Sequence, residues 1–368
     1  MNGRRRILYR NHNLEDVVGM NYEAAIRKIE PINKTAIEQC DKRWDSIAKP
    51  LHSLGKLETG IKQIAGIQGT VQVRMDKKAL VIMCADNGVV EEGITQASSE
   101  VTSIVSENFL NMNSCACVMA KQIGVEVFPI DIGINRDTKL PKYRKVAYGT
   151  NNILKGPAMT RQQAIQAIEV GIDLVFELNE KGFHIIATGE MGIGNTTTSS
   201  AITSVVLGLP VETVTGKGAG LSNAGLERKI GVIKKAIERN QPDRNDPIDV
   251  LSKVGGYDIA GLVGVYVGGA AARIPVVIDG FISAVAALIA KQLEPKVAEF
   301  MIPSHESKEN AGRLILEALG FTPYITCDMC LGEGTGAIAL LPLLDLGLAV
   351  YNQMSTFEQI EIEAYQPL

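Results

Sequence analysis

The chain has 368 residues, 46% of them hydrophobic, and a formal net charge of −4 at pH 7. Its basic residues are scattered among acids, which argues against a nucleic acid or an anionic membrane as partner, so we expect a small-molecule substrate. We also expect a cytoplasmic protein without a membrane span, because the six cysteines form no dense disulfide pattern, the basic run Arg4–Arg6 precedes no signal segment, and the apolar stretches are too short.

Both ends of the chain have apolar residues at helical spacing. This spacing predicts helices over Glu15–Ile29 and Asn33–Ala48, and a last helix over Thr335–Met354. We therefore predict a smaller helical domain built from residues 1–69 plus 338–368, packed beside a large α/β domain formed by residues 70–337.

Strand patterns alternate with helix patterns in the middle of the chain. The run Ala79–Cys84 is continuously apolar, which is typical of a strand buried on both faces of a parallel sheet. The other predicted strands are Val125–Ile130, Phe183–Ala187, Val211–Val214, Pro275–Phe281 with its turn, and Phe300–Pro303. The predicted helices are Ser99–Asn111, Thr160–Lys181, Leu226–Arg239, Gly255–Ala272, Ser283–Gln292 and Glu309–Leu319. The alternation predicts a doubly wound, mainly parallel α/β sheet, whose strand ends bring polar loops to one edge.

Two glycine-rich loops each carry one glutamate. In Leu331–Ala337, glycines surround Glu333, so the backbone can approach a ligand while this carboxylate accepts a proton. In Gly189–Gly194, Glu190 follows a predicted strand and precedes Asn195–Thr198, which we expect to cap a helix. The helix start in the second loop favours a bound phosphate.

Other residues have more than one interpretation. The loop Gly216–Leu221 contains a lysine, and Lys229 on the next helix could reach the same anion, although periodicity alone favours a solvated helix face. A lone histidine in a turn, His305, is more often structural. Cys327 and Cys330 have zinc-ligand spacing, but the other ligands would have to come from Cys115 and Cys117 or from a distant histidine, so we expect buried, reduced thiols and no metal.

Two other function classes also use glycine loops between a strand and a helix. A dinucleotide-dependent oxidoreductase would have G-x-G-x-x-G after the first strand with an acid roughly 20 residues later, and that combination is not found after the first strand. A non-catalytic nucleotide-binding protein stays open, although two convergent glutamates argue against it.

An ordered set of motifs resembles the nicotinate-nucleotide:dimethylbenzimidazole phosphoribosyltransferase family, which makes the lower-ligand nucleotide of cobalamin. The resemblance covers most of the chain, from about Ser53 to the last helix. It rests on Ala85–Val89, Glu92-Gly93, Asp131–Gly133, Gly189–Thr197, Val277–Phe281, Pro303–His305 and Leu331–Gly336. The chain departs from the common pattern at Asn87, where many members have His, at Cys330, where many have Arg, and at Ala97-Ser98, where many have Ser-Pro.

The resemblance implies a homodimer with a Rossmann-like large domain, and it implies roles for particular residues. Glu333 would be the general base, and Glu190 a second carboxylate in the site whose negative charge stabilises an oxocarbenium-like ribose. Residues implied at the nucleotide and its phosphate are Met191, Gly192, Gly194, Lys229, Ser307, Gly332 and Gly334. Residues implied at the acceptor pocket are Leu331, Asp86, Ala97 and Ser98. For Lys229 this replaces the expectation of a solvated face.

The implied reaction moves the 5-phosphoribosyl group of nicotinate mononucleotide to 5,6-dimethylbenzimidazole, giving α-ribazole 5′-phosphate and nicotinate. It needs no cofactor and no metal, because no diphosphate leaves. The same transfer to another benzimidazole, a purine or a phenol is an open alternative.

Overall fold

The computed structural model of the protein describes residues 20–141, 144–218 and 220–365. The basic run Arg4–Arg6 and the first part of the helix predicted from Glu15 lie outside these residues.

Five parallel strands form one sheet in the order β2-β1-β3-β4-β5. The strands are β1 (Lys78–Ala85), β2 (Glu126–Gly133), β3 (Ile185–Met191), β4 (Val276–Ile278) and β5 (Met301–Pro303). The strand order reverses direction between β1 and β3, and in doubly wound sheets ligands bind beyond the carboxyl ends of the strands at such a switch point. The predicted α/β fold with a doubly wound parallel sheet is confirmed.

Helices surround the sheet. They are α1 (Tyr22–Arg27), α2 (Lys34–Ser46), α3 (Lys56–Gln68), α4 (Glu100–Leu110), α5 (Cys115–Gln122), α6 (Arg161–Glu180), α7 (Asn195–Leu207), α8 (Val211–Val214), α9 (Asn223–Asn240), α10 (Pro247–Val254), α11 (Tyr257–Ala272), α12 (Phe281–Leu293), α13 (Gly312–Leu319) and α14 (Thr335–Gln353). The sequence patterns found most of these helices to within a few residues, and they missed α5 and α10.

Strand β1 is buried along its whole length, as its continuous apolar run predicted. Leu80 and Ile82 point into a core cluster that also contains apolar residues of α2, α3 and α14. Val81 and Met83 point to the opposite face, into a larger cluster with residues of α6 and α11. Since the terminal helices α2 and α14 cover one face of the sheet, they help to hold its edge in place. The division of the chain at residues 69 and 338 stays a prediction.

The segment Val211–Val214 is a helical turn, so the strand predicted there is wrong. Val211 and Val214 are both buried whereas Glu212 and Thr213 are exposed, which is the spacing of one helical turn and not the alternation of a strand. Pro210 precedes the turn and its fixed φ suits a helix start. The β-branched residues had favoured the strand interpretation.

Helices α6 and α11 are in backbone contact. A Cβ atom on Gly264 would lie 1.9 Å from the carbonyl oxygen of Ile168, and one on Gly171 would lie 2.1 Å from that of Gly261. Only glycine allows this approach. Helix α11 also contacts β1, β2 and β3 of the sheet.

Helix α14 is long and apolar enough to cross a membrane by length and composition, and half of its most apolar window is buried inside the protein. It packs against α3, α5 and β3 and contributes Leu340, Leu341 and Leu344 to the core. The expectation that every apolar stretch is too short therefore does not hold for this helix, whose burial is that of a core element.

Candidate active site

The carboxyl ends of the strands border a cavity of about 230 Å³. It is lined by the loop after β3, the turns after β4 and β5, the loop before α14, and part of α9. Both glutamates of the two glycine loops line it. The structure thus brings together the two loops that the sequence singled out.

Glu333 lies in a loop of unusual backbone conformation. Gly332, Glu333 and Gly334 have φ angles of +95°, +60° and +92°, so three consecutive residues are in the left-handed region. This conformation is costly for the non-glycine Glu333 and aims its side chain into the cavity. Its Oε2 accepts the backbone N–H of Ala116 at 3.1 Å, in the first turn of α5. A negative charge is favourable at that helix end.

Asp279, at the end of β4, holds this loop from behind. Its Oδ1 accepts the N–H groups of Gly336 at 2.7 Å and Ala337 at 3.1 Å, and its Oδ2 accepts that of Gly334 at 3.1 Å. These are orphan donors of the first turn of α14, which has no side-chain cap of its own. Burial raises the pKa of Asp279, and the three N–H groups oppose that effect.

Glu190 is almost completely buried, with 7% of its surface exposed. The side-chain amide of Asn195 donates to its Oε2 and also to Asp258 Oδ2, at 3.0 Å from the latter. Burial raises the pKa of Glu190 to about 8, and the charge of Asp258 adds to the effect. The raised pKa favours the protonated form of Glu190, whereas the resemblance implies a negative charge there; that charge stays a prediction.

The two glycine loops touch each other. A Cβ atom on Gly332 would lie 2.5 Å from Glu190 Oε1, and one on Gly189 would lie 2.5 Å from the carbonyl oxygen of Glu333. The absence of side chains at these positions lets the two glutamates approach the same space.

Lys229 is 1% exposed, so the solvated helix face that periodicity favoured is wrong. Its Nζ lines the cavity and donates to Thr196 Oγ1 at 2.8 Å and to the carbonyl oxygen of Gly216 at 3.2 Å. Burial lowers the pKa of Lys229 to about 8, and Glu309 opposes that effect. A buried ammonium group with few partners is suited to hold an anion.

The start of α7 lies beside this lysine. Helix α7 begins after Gly194, which has a φ of +94°, and not after a capping Asn or Thr as predicted. Asn195 already belongs to the first turn, where its side chain binds carboxyl groups instead. Gly192 and Gly194 line the cavity, as do Met191 and the buried Ser307. Gly334 is buried beneath the loop and does not line it.

The four residues implied at the acceptor pocket are not brought together. Leu331 is exposed and lines the cavity of the two glutamates. Asp86, Ala97 and Ser98 line a separate, more open cavity of about 510 Å³. The wall between the cavities carries Gln96, which lines both and donates through its amide to the carbonyl oxygen of Gly220.

Asp86 faces away from the glutamates. Its Oδ2 accepts the N–H of Asn135 at 2.8 Å, beyond the end of β2. Burial raises the pKa of Asp86. The sequence placed Asp86 at the carboxyl edge of the sheet, where the structure also has it, and its role in the acceptor pocket stays a prediction.

Sequence reasoning left Asp279, His305, Lys217 and Glu309 out of the site, and all four line the cavity. His305 Nδ1 lies 3.0 Å from Ser304 Oγ, which donates to the carbonyl oxygen of Asp279 at 3.1 Å. The position of an acid directly after an apolar strand was the available signal for Asp279. For Glu309, whose pKa is raised by burial, no local pattern indicated the site.

The cysteines are only partly as expected. Cys40, Cys84 and Cys117 are buried, whereas Cys115, Cys327 and Cys330 are exposed. Cys330 lines the cavity next to Leu331. The expectation of buried thiols is therefore wrong for the Cys327–Cys330 pair.

Comparisons with a family model, with related sequences and with solved structures all indicate the same family. A family model described as phosphoribosyltransferase matches residues 29–362. The chain is 52% identical over 344 residues to nicotinate-nucleotide–dimethylbenzimidazole phosphoribosyltransferase of Acetivibrio thermocellus, covering 93% of this chain and 98% of the relative. It is 48% identical over 351 residues to the enzyme of that name from Ruminiclostridium cellulolyticum, covering 95% and 100%. The crystal structure of CobT from Thermus thermophilus matches with a TM-score of 0.85 and 35% identity, over 90% of this chain and all 100% of that chain.

Proposed function

The chain belongs to the nicotinate-nucleotide–dimethylbenzimidazole phosphoribosyltransferase family, and we propose that it moves the 5-phosphoribosyl group of nicotinate mononucleotide to 5,6-dimethylbenzimidazole or a related aromatic base. The products are α-ribazole 5′-phosphate and nicotinate, for the lower ligand of cobalamin. The observation that carries the proposal is one cavity that joins two glutamates, Glu190 and Glu333, to a buried lysine beside a helix start.

The nucleotide phosphate binds at the Lys229 end of the cavity. The ammonium group of Lys229, the hydroxyl of Ser307 and the loop Met191–Gly194 at the start of α7 surround this end. A helix start and a desolvated cation together favour an anion there. Gly332 allows the ribose to approach the loop of Glu333, while Gly334 acts through the shape of that loop.

Glu333 is the general base. When one nitrogen of a benzimidazole attacks C1′ of the ribose, positive charge builds on the ring, and loss of the proton on the other nitrogen removes that charge. The Ala116 N–H holds one oxygen of Glu333, so the other oxygen is free to accept this proton. General-base catalysis of this kind contributes on the order of 10²–10⁴ in rate.

The leaving group needs no acid. The ring nitrogen of nicotinate mononucleotide is quaternary and positively charged. When its bond to C1′ breaks, the bonding electrons return to this nitrogen, which becomes neutral without taking up a proton. Attack from the opposite face inverts the anomeric carbon and gives the α-nucleotide. Because no diphosphate departs, the reaction calls for neither a metal nor another cofactor.

Leu331 is the proposed contact with the acceptor, since it lines the cavity next to Glu333. Asp86, Ala97 and Ser98 are proposed to act on the acceptor only from the neighbouring cavity, across the wall that carries Gln96. Which ring fits, a benzimidazole, a purine or a phenol, depends on this wall.

We further propose a cytoplasmic homodimer that binds neither nucleic acid nor membrane. Helices α5 and α14 pack together and expose Val118 and Leu346, which are 51% and 62% accessible and offer apolar surface to a second copy. Light scattering coupled to size-exclusion chromatography measures the mass of the particle and tests the dimer.

The activity is tested by incubating the protein with nicotinate mononucleotide and one member at a time of a panel of benzimidazoles, purines and phenols. Release of nicotinate with formation of the α-nucleotide is the expected result, and the fastest acceptor identifies the preferred base. Binding of the mononucleotide without nicotinate release for any acceptor would favour the non-catalytic nucleotide-binding protein.

A further inference from the structure

One amide group joins two buried carboxyl groups at the back of the cavity. Asn195 Nδ2 donates to Glu190 Oε2 and to Asp258 Oδ2. Glu190 reaches the cavity, whereas Asp258 is completely buried and does not line it. Two buried acids that share one donor cannot both carry a charge without a large cost in free energy.

Asp258 occupies the better position for that charge. It lies in the first turn of α11, where the helix dipole favours an anion. It also packs behind the loop of the nucleotide site, since a Cβ atom on Gly192 would lie 2.6 Å from Asp258 Oδ2. Burial raises the pKa of both groups, to about 6 for Asp258 and about 8 for Glu190, which favours Glu190 as the one that holds a proton.

Two other charged groups near Glu190 act on its pKa in the same direction as Asp258. Asp279 after β4 and Glu333 before α14 both raise its pKa by charge. The remaining titratable groups on the cavity wall are Lys217, Lys229, His305, Glu309 and Cys330.

We propose that Asp258 is a positioning residue that keeps the proton on Glu190 in the substrate-free enzyme, so that the group meeting the substrate is a neutral acid. This inference rests on the proposed function. Nicotinate mononucleotide brings a phosphate and a carboxylate into a cavity that already contains Glu333. A second anion at Glu190 would repel the substrate, whereas a protonated Glu190 can donate a hydrogen bond to it. Asp258 supplies this proton affinity without touching the substrate.

The test is the pH dependence of kcat/KM for nicotinate release with dimethylbenzimidazole, measured for wild type, Asp258→Asn, Glu190→Gln and Asp131→Asn. Wild type is expected to lose activity above about pH 8, where both Glu190 and Lys229 lose their protons. In Glu190→Gln the side chain at position 190 has no proton to lose in this range. The kcat/KM of this variant should therefore fall only because Lys229 loses its proton. In Asp258→Asn the pKa of Glu190 should fall, because a neighbouring negative charge is gone. The decline of kcat/KM caused by deprotonation of Glu190 should therefore begin about one pH unit lower than in wild type.

Asp131→Asn is the matched control. Asp131 is also completely buried at this sheet edge, but it pairs with Lys145 at 3.1 Å and lies away from Glu190. Its profile is expected to keep the alkaline limb of wild type even if the variant is less stable. An Asp258→Asn profile that coincides with wild type would overturn the proposal.

A second measurement does not need the variant of Asp258 or any turnover. The infrared difference between wild type and Glu190→Gln, recorded without substrate, should contain the carbonyl stretch of a protonated carboxylic acid at pH 7, and this band should disappear as the pH passes 8. Absence of the band at pH 7 overturns the proposal. Absence of nicotinate release by wild type at every pH would instead contradict the proposed function, so the two failures are distinguishable.

Discussion

Asp279 Oδ1 accepts the backbone N–H of Gly336 at 2.7 Å, so a carboxylate at the end of β4 caps the helix that follows Glu333. The contact joins two segments 57 residues apart in the chain. Glu333 stands between the donors of this cap and the other glycine loop. Its position therefore depends on the sheet as well as on the backbone of its own loop.

Asp279→Asn should lower kcat by up to about 10²-fold, because misplacement of a catalytic group by roughly 1 Å costs that much. The side-chain oxygen of the new amide can still accept the N–H groups of Gly336 and Ala337. Its NH₂ group then faces the N–H of Gly334, so two donors oppose each other next to Glu333. Steady-state kinetics measure the effect. Asp345→Asn, on the outer part of the same helix where Asp345 pairs with Lys78, is the control and should leave kcat unchanged. Equal kcat for Asp279→Asn and wild type would show that the cap does not position Glu333.

Glu333→Gln should lower kcat about 10²–10⁴-fold while the KM for nicotinate mononucleotide changes little, because only proton transfer is lost. The amide oxygen can still accept the Ala116 N–H, so the loop should keep its shape. Equilibrium binding of the mononucleotide to the variant checks that the site is intact. A variant with ordinary turnover would remove Glu333 from the mechanism.

Lys229→Met should raise the KM for nicotinate mononucleotide about 10–100-fold and change kcat less, since a hydrogen bond to a charged group is worth about 1.5–3 kcal/mol. Methionine keeps the apolar stem of this buried side chain. In wild type the KM should also rise above about pH 8, where Lys229 becomes neutral. Lys234→Met, on the exposed face of α9, is the control. A larger fall in kcat than rise in KM would argue against a phosphate contact.

Gly264→Ala should destabilise the fold by about 1–3 kcal/mol or more, because its Cβ would lie 1.9 Å from the backbone of Ile168 in α6. Gly231→Ala, in α9 with nothing within 4 Å of its Cβ, should instead be neutral or stabilising by up to about 1 kcal/mol. Urea unfolding of both variants measures the difference. Equal stability of the two variants would mean that α6 and α11 can separate at no cost.

Local patterns were sufficient where one segment decides the outcome. The apolar run of β1 was placed correctly, and α6 begins where the pattern placed it, with Thr160 Oγ1 accepting the N–H of Gln163 at 3.1 Å. The strand predicted over Phe183–Ala187 ended too early, because β3 runs over Ile185–Met191 and includes Glu190. Patterns failed at α8, where burial of two valines one turn apart outweighed β propensity.

The sequence alone determined the parallel sheet, its buried strands and the two glycine loops with their glutamates, because each depends on residues that are neighbours in the chain. Tertiary structure decided that Lys229 is buried, that Asp86 lies behind the wall at Gln96, and that Asp258 and Glu190 share the amide of Asn195. These facts depend on what packs beside each residue. Burial and charge pairing arise from segments far apart in the chain, which no local spacing records.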